Sequence, residues 1–369
     1  MVDDSCGMSE YERRAWEALI NRSQGEGAQQ GRLHDWGEKA KLRAKAAGGK
    51  AQAVIERVPG GDQALDMADE AMAKAMQAIH KAFVERGMNS VKPATIIKPF
   101  LEEAVDVSSY DDIRKLDLKL CDRSLPRRKE RYVLLAASQG AATSLAVTGA
   151  VVSSTVSGGT TLSVAAAAVT ADVMAVMVGM GRIVALVAAH YGYDVREPDE
   201  QVFASGVLAY SSATGSAEKA ASLASLSRLT QQMMRRATWN QLQRHQLVNV
   251  IQKVSTSLGF RLTQRKLAQA VPVVGAVLNG GLNAWFVQKT FERSEHAYRL
   301  RFLTEKYNLD PTSWAPDVMD TESTALPLVH EFIEDELALG PTAEAQRADH
   351  TDTETNNSAP QDEDNESDS

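Results

Sequence analysis

The chain has 369 residues and a formal net charge of −8, with abundant Ala, Val, Leu and Met and only 6% aromatic residues. That length allows one large or two ordinary domains with a substantial core, and the composition favours helices over a β-sandwich. Eight acids and no Lys or Arg lie between Asp349 and Ser369, so removing that tail leaves residues 1–348 formally neutral. A neutral body speaks against a nucleic-acid-binding surface. Cys6 and Cys121 stand alone, without a CxxC or Cys/His cluster, so neither a disulfide scaffold nor a structural zinc is expected. No apolar stretch opens the chain, and the expected compartment is the cytoplasm.

Taken in order, Ser9-Glu10-Tyr11-Glu12 reads as a capping box that starts a helix through Arg13, Trp16 and Leu19. The glycines and glutamines from Gln24 to Gly31 are expected to break it. A basic run from Lys39 to Lys50 reads as a solvated helix face. Asp62 is placed to cap a helix reaching about Arg86. Its Leu65, Met72, Met76, Ile79 and Phe83 recur at helical spacing and turn one stripe to a core. Ser108-Ser109, followed by Asp111 and Asp112, starts another helix that Pro126 ends.

Between Tyr132 and Ala171 there are 40 residues without a formal charge. Gly158-Gly159 divides the stretch from Tyr132 to His190 into two helical arms. Small residues four apart on the first arm, among them Gly149, allow close backbone approach in a membrane or in a tight bundle. The second arm, Leu162 to Ala189, contains two charges, Asp172 and Arg182. Pro198 restarts the chain, with Asp199 and Glu200 in a first turn, and helical sequence continues through Leu223, Leu226, Leu229 and Met233. A later apolar piece, Val271 to Gly281, leads a helix to about Tyr307, with Gly275 and Gly280 as helix-packing positions. Leu326 to Leu337 forms a short amphipathic helix. From about Gly340 the composition is too polar to offset chain entropy, and disorder is expected.

No catalytic motif is legible. Gly275 to Gly281 lacks the Lys and Ser/Thr of a phosphate loop, and Gly179-Met180-Gly181 lacks a third glycine and a preceding strand. Both read as packing glycines. The histidines show no metal-ligand spacing, and no GxSxG elbow occurs. Neither catalytic nor metal nor cofactor residues can therefore be named. The candidate polar site in the apolar core is Asp172, Arg182 and His190, because a charge in an apolar helix costs free energy unless paired or hydrated. Asp172, Gly179 and His190 fall near one helical face, whereas Arg182 is rotated about 80° from Asp172. The structural reading of Asp172 is a buried group satisfied from another helix. The functional reading is a polar site in an apolar groove.

Several pieces together resemble the EcsC protein family. They are Tyr11-Glu12-Arg13-Arg14-Ala15-Trp16, Gly140-Ala141-Ala142, Asp172, Tyr191-Gly192-Tyr193-Asp194 with Glu197-Pro198, and Pro272-Val273-Val274-Gly275-Ala276 with Asn283. The resemblance covers about Glu10 to Tyr307. It implies a helical fold and, from the bacterial operon that gives the family its name, the company of an ABC transporter. It carries no catalytic residues.

The expected architecture is all-α: a multi-helix bundle around a central small-residue-rich apolar hairpin, with a disordered acidic C-terminal tail. Residues 1–61 are an N-terminal helical segment, 62–308 the EcsC-like domain, and 309–369 a linker and tail. The expected function is a non-enzymatic accessory factor at the inner face of the cell membrane, meeting the membrane surface or an ABC-transporter-type complex, without a cofactor and without nucleic acid. The alternative is a cytoplasmic enzyme or a binder of a small hydrophobic ligand in a groove near Asp172.

Overall fold

The computed structural model describes residues 7–28, 61–102, 106–125, 160–235, 244–268, 275–315 and 328–339. Among these the fold is all-α, with no strand. The helices are α1 (Glu10–Ala28), α2 (Gly61–Ala82), α3 (Pro93–Glu102), α4 (Tyr110–Lys115), α5 (Leu118–Ser124), α6 (Thr160–His190), α7 (Pro198–Ser212), α8 (Ser216–Arg235), α9 (Arg244–Ala268), α10 (Gly275–Lys306) and α11 (Val329–Leu339). The basic run from Lys39, the first hairpin arm with Gly149, Gly158 and Gly159, and the acidic tail all lie outside the described residues.

α7 sits at the centre. It is buried from Glu200 to Ser212 and packs against α6, α8, α9, α10 and α11. A helix buried on every side needs no polar face, and small residues such as Ala204, Ser205 and Gly206 let its neighbours come close. α6 and α10 run along one another and along α7, forming the largest helix pair in the bundle. α11 closes the bundle over α8 and α9 with Val329 and Ile333 buried and Phe332 half-buried.

Several local expectations hold at atomic detail. The capping box at α1 is present: the Glu12 amide donates to Ser9 Oγ at 3.2 Å, and the Ser9 amide donates to Glu12 Oε2 at 3.2 Å. Ser109 and Asp112 form a second one at α4. α6 starts directly after Gly158-Gly159, where the second arm was expected.

α1 continues through Gly25 and ends at Ala28, inside the stretch from Gln24 to Gly31 that was expected to break it, and two other expectations are corrected. Buried Ala15, Trp16, Leu19 and Ser23 anchor it, and the packing outweighs the roughly 1 kcal/mol that an exposed glycine costs a helix. The helix expected from Ser109 to Pro126 is two, because Asp117 caps a new start by accepting from the Lys119 amide at 2.8 Å. α2 ends at Ala82 and passes into a π-turn, Phe83–Gly87. That turn presses the chain onto α6: a Cβ at Gly87 would lie 3.1 Å from the Val178 carbonyl oxygen, and one at Gly181 would lie 2.7 Å from the Phe83 ring. The close approach therefore falls at Gly181 rather than at Gly179, where a Cβ would meet nothing within 4 Å.

Candidate functional site

The polar centre of the bundle is built from the turn that joins α6 to α7. α6 ends with Tyr193 N bonded to the Ala188 carbonyl at 3.0 Å and Gly192 N to the Ala189 carbonyl at 3.1 Å, a Schellman-type cap. Gly192 takes φ of +85°, and a Cβ there would sit 2.6 Å from the Tyr110 carbonyl oxygen, so both backbone and space demand glycine. The turn points its two flanking tyrosines to different partners. Tyr191 donates to Asp122 Oδ1 at 2.7 Å, and Tyr193 donates to Glu305 Oε2 at 3.0 Å.

Beyond Tyr193 lies Arg301, 2% exposed, on the last turns of α10. Its Nη1 and Nη2 donate to the two carboxylate oxygens of Glu200 at 2.7 Å each, and Nε donates to Glu305 Oε1 at 2.6 Å. The guanidinium also lies 4.1 Å from the Tyr193 ring centre and 4.4 Å from that of Phe203. A planar, forked cation is the side chain that satisfies two carboxylates and two ring faces at once. Burial pushes the Glu200 carboxyl upward, and the paired guanidinium opposes that shift. Burial also works against the Arg301 charge, but Glu200 and Glu305 outweigh it and keep the guanidinium protonated.

This cluster forms one wall of a cleft of about 630 Å³, whose rim carries Arg114, Asp199, Met233 and Lys306. A neighbouring cleft of about 400 Å³ shares Arg114, Asp199 and Glu200. Lys306 is committed to Glu12 at 2.7 Å, and Arg114 is paired with Asp111. Among the described residues no group of three or more His, Cys, Asp or Glu is placed to hold a metal.

The residues singled out from sequence are not gathered into one site. Asp172 is 2% exposed and accepts from the Asn283 amide of α10 at 3.1 Å, tying α6 to its longest neighbour. It lines neither cleft. His190 lies 18 residues further along the same helix, roughly 27 Å away at 1.5 Å per residue. Its Nδ1 meets Ser124 Oγ at 2.8 Å, and burial lowers its pKa to about 4. Arg182 is exposed on the outside of α6. Gly275 and Gly280 fall in the first turns of α10.

Glu200 and Arg301 went unrecognised because each has an ordinary local explanation. Glu200 reads as a helix-start acid and Arg301 as one charge in a polar run. The usable signal was the lack of any polar face on α7, since an acid in a helix buried all round needs a cation from elsewhere.

α6 is the second feature with functional content. Val169–His190 has a mean hydropathy of 1.9, long and apolar enough to cross a membrane, yet 67% of that window is buried in the bundle. Its remaining face is open at Ala171 and Arg182 and partly open at Met174, Ala175, Val178, Gly179 and Leu186. At 100° per residue these positions share one side of the helix.

No curated protein and no solved structure matches this chain. The model of the EcsC protein family matches residues 147–303, a span that includes the Gly192 turn, all of α7, Asp172, Asn283, Glu200 and Arg301. Residues 147–303, which build the bundle's centre, are thus similar to the EcsC protein family.

Proposed function

We propose that the chain is a non-enzymatic accessory protein that associates with a membrane surface through the outer face of α6. The observation that supports this most is the composition of that face. It is an apolar strip with Arg182 in its midst, on the helix whose hydropathy is of membrane grade. A strip of this kind lies along the interface rather than across it, with the arginine reaching the lipid phosphates. The buried pairs Asp172–Asn283 and Glu200–Arg301 then serve to hold the bundle that presents α6. An ABC-transporter-type complex remains the membrane partner that the family's gene company favours.

Flotation with vesicles containing anionic lipid tests the reading. The wild-type chain should float, and the variant carrying Ala171→Glu with Ala175→Glu should stay at the bottom with its melting temperature changed by no more than about 2 °C. Equal flotation of both proteins would refute the role of α6.

The cleft of about 630 Å³ beside Arg301 favours a second reading, a binder of a small polar ligand. It moves the ligand site from the middle of α6, near Asp172, to beyond its C-terminal end. Arg114→Ala, at the rim, should abolish any ligand-induced rise in melting temperature while leaving the unliganded value in place.

A further inference from the structure

We propose that α1 is a strap released by mild acid, leaving the bundle while α6, α7 and α10 stay packed. Buried Ala15, Trp16 and Leu19 and the Tyr11–Asp122 hydrogen bond help to hold α1, and two further polar fastenings are weakened by a proton.

The first fastening is Glu12, 1% exposed. Its carboxylate accepts from the Ser9 amide at 3.2 Å, the Leu118 amide at 3.0 Å, Lys306 Nζ at 2.7 Å and the Tyr307 hydroxyl at 2.5 Å. All four partners are donors, so only the ionised carboxylate serves them. α1 is thereby joined to α5 and to the end of α10.

The second fastening is His296 on α10, 1% exposed. Its Nε2 lies 3.3 Å from the Leu19 carbonyl and 3.3 Å from Ser23 Oγ on α1, and its Nδ1 lies 3.0 Å from the Tyr210 hydroxyl of α7. A neutral ring fits, with Nε2–H donating to the carbonyl and Nδ1 accepting from tyrosine. The charged groups around it are Arg22 from α1 and Arg293 and Arg299 from its own helix, so protonation would add a fourth positive charge. Toward the Glu12 end the surrounding charges are Asp117 and Asp122 beside and on α5, with Arg299 and Lys306 from α10. A water-accessible cleft of about 620 Å³ between α1 and α5, lined by Tyr11, Arg14, Asp117 and Arg299, brings solvent to this seam.

Both linkages run the same way. Burial, reinforced by Arg22, lowers the His296 pKa to about 3. Its contribution is therefore present above the unfolded value near 6.5 and is lost as pH falls toward 3. Burial pushes the Glu12 carboxyl up, but the hydrogen bonds from Lys306, Tyr307 and the two amides outweigh it and hold the pKa below the ordinary value. Its contribution is present above the unfolded value near 4.3 and lost below it. His296 thus starts the release and Glu12 completes it. Release of α1 does not depend on whether α6 meets a bilayer.

Hydrogen exchange on the full chain, corrected for the pH dependence of intrinsic exchange, tests the strap. One titrating histidine predicts that the opening constant of α1 amides rises about 30-fold from pH 7.5 to pH 5. α7 amides, whose opening also exposes His190 and His296, should respond to acid as well but stay many-fold better protected than α1 amides at pH 5. His296→Gln should flatten the α1 response, and Glu12→Gln should raise α1 exchange already at pH 7.5. A pH-independent α1, or α1 and α7 opening together, would overturn the proposal. The α1-to-α7 comparison in the wild-type chain decides the matter even if a variant fails to fold.

Discussion

α6 and α7 follow one another in the chain, and hydropathy ranks them in the wrong order for burial. α6 is apolar enough for a membrane, yet it keeps one side open. α7 carries Glu200, Ser205, Ser211 and Ser212 and is buried from Glu200 to its end. Burial is decided by how many neighbours an element has, not by its mean transfer energy alone. α7 is surrounded by five helices, and partners meet its polar side chains with the exception of Ser211 Oγ. Ser205 bonds back to the Gln201 carbonyl at 2.8 Å, Glu200 meets Arg301, and Arg293 Nη1 donates to the carbonyls of Tyr210, Ser211 and Ala213 at the helix end. The last contact places a cation where the helix dipole is negative.

Substitutions on the two helices should separate them by stability. The largest effect is expected from Ala204→Glu on α7, which is 0% exposed: an unpartnered carboxylate there should cost more than about 4 kcal/mol, read by urea denaturation as a chain largely unfolded without denaturant. Arg301→Met should cost about 3–5 kcal/mol by leaving Glu200 and Glu305 buried without their cation. Adding Glu200→Leu to it should recover part of that loss in the same assay. Full additivity of the two would mean that the pair does not act as a unit. Gly192→Ala should cost about 2–3 kcal/mol through positive φ and the clash with the Tyr110 carbonyl, measured as a shift of the denaturation midpoint at constant slope. The smallest effect belongs to Ala171→Glu on the open side of α6, expected within about 0.5 kcal/mol of wild type. A large loss there would show that the face is packed and would undo the contrast.

Much of the helical order was legible because it rests on short-range chemistry. The Ser9–Glu12 and Ser109–Asp112 boxes, the glycine pair before Thr160 and the Pro198 start are all written in four residues or fewer. The Asp117 restart was missed because an aspartate inside a helical pattern reads equally well as a surface acid. The π-turn at Phe83–Gly87 was missed because its cause is long-range: Gly181 on α6 leaves room for the Phe83 ring. The candidate site was the least legible part. Asp172 and His190 stood out as polar residues in apolar sequence, and both are buried with partners on other helices. Glu200 and Arg301, 101 residues apart, looked ordinary because only the fold brings them to 2.7 Å.

Cell fractionation followed by alkaline carbonate extraction reads out where the protein works. The chain should sediment with membranes and be released by carbonate, as expected for a folded bundle lying on the surface through α6. Recovery wholly in the soluble fraction, together with failure to float with vesicles, would contradict it.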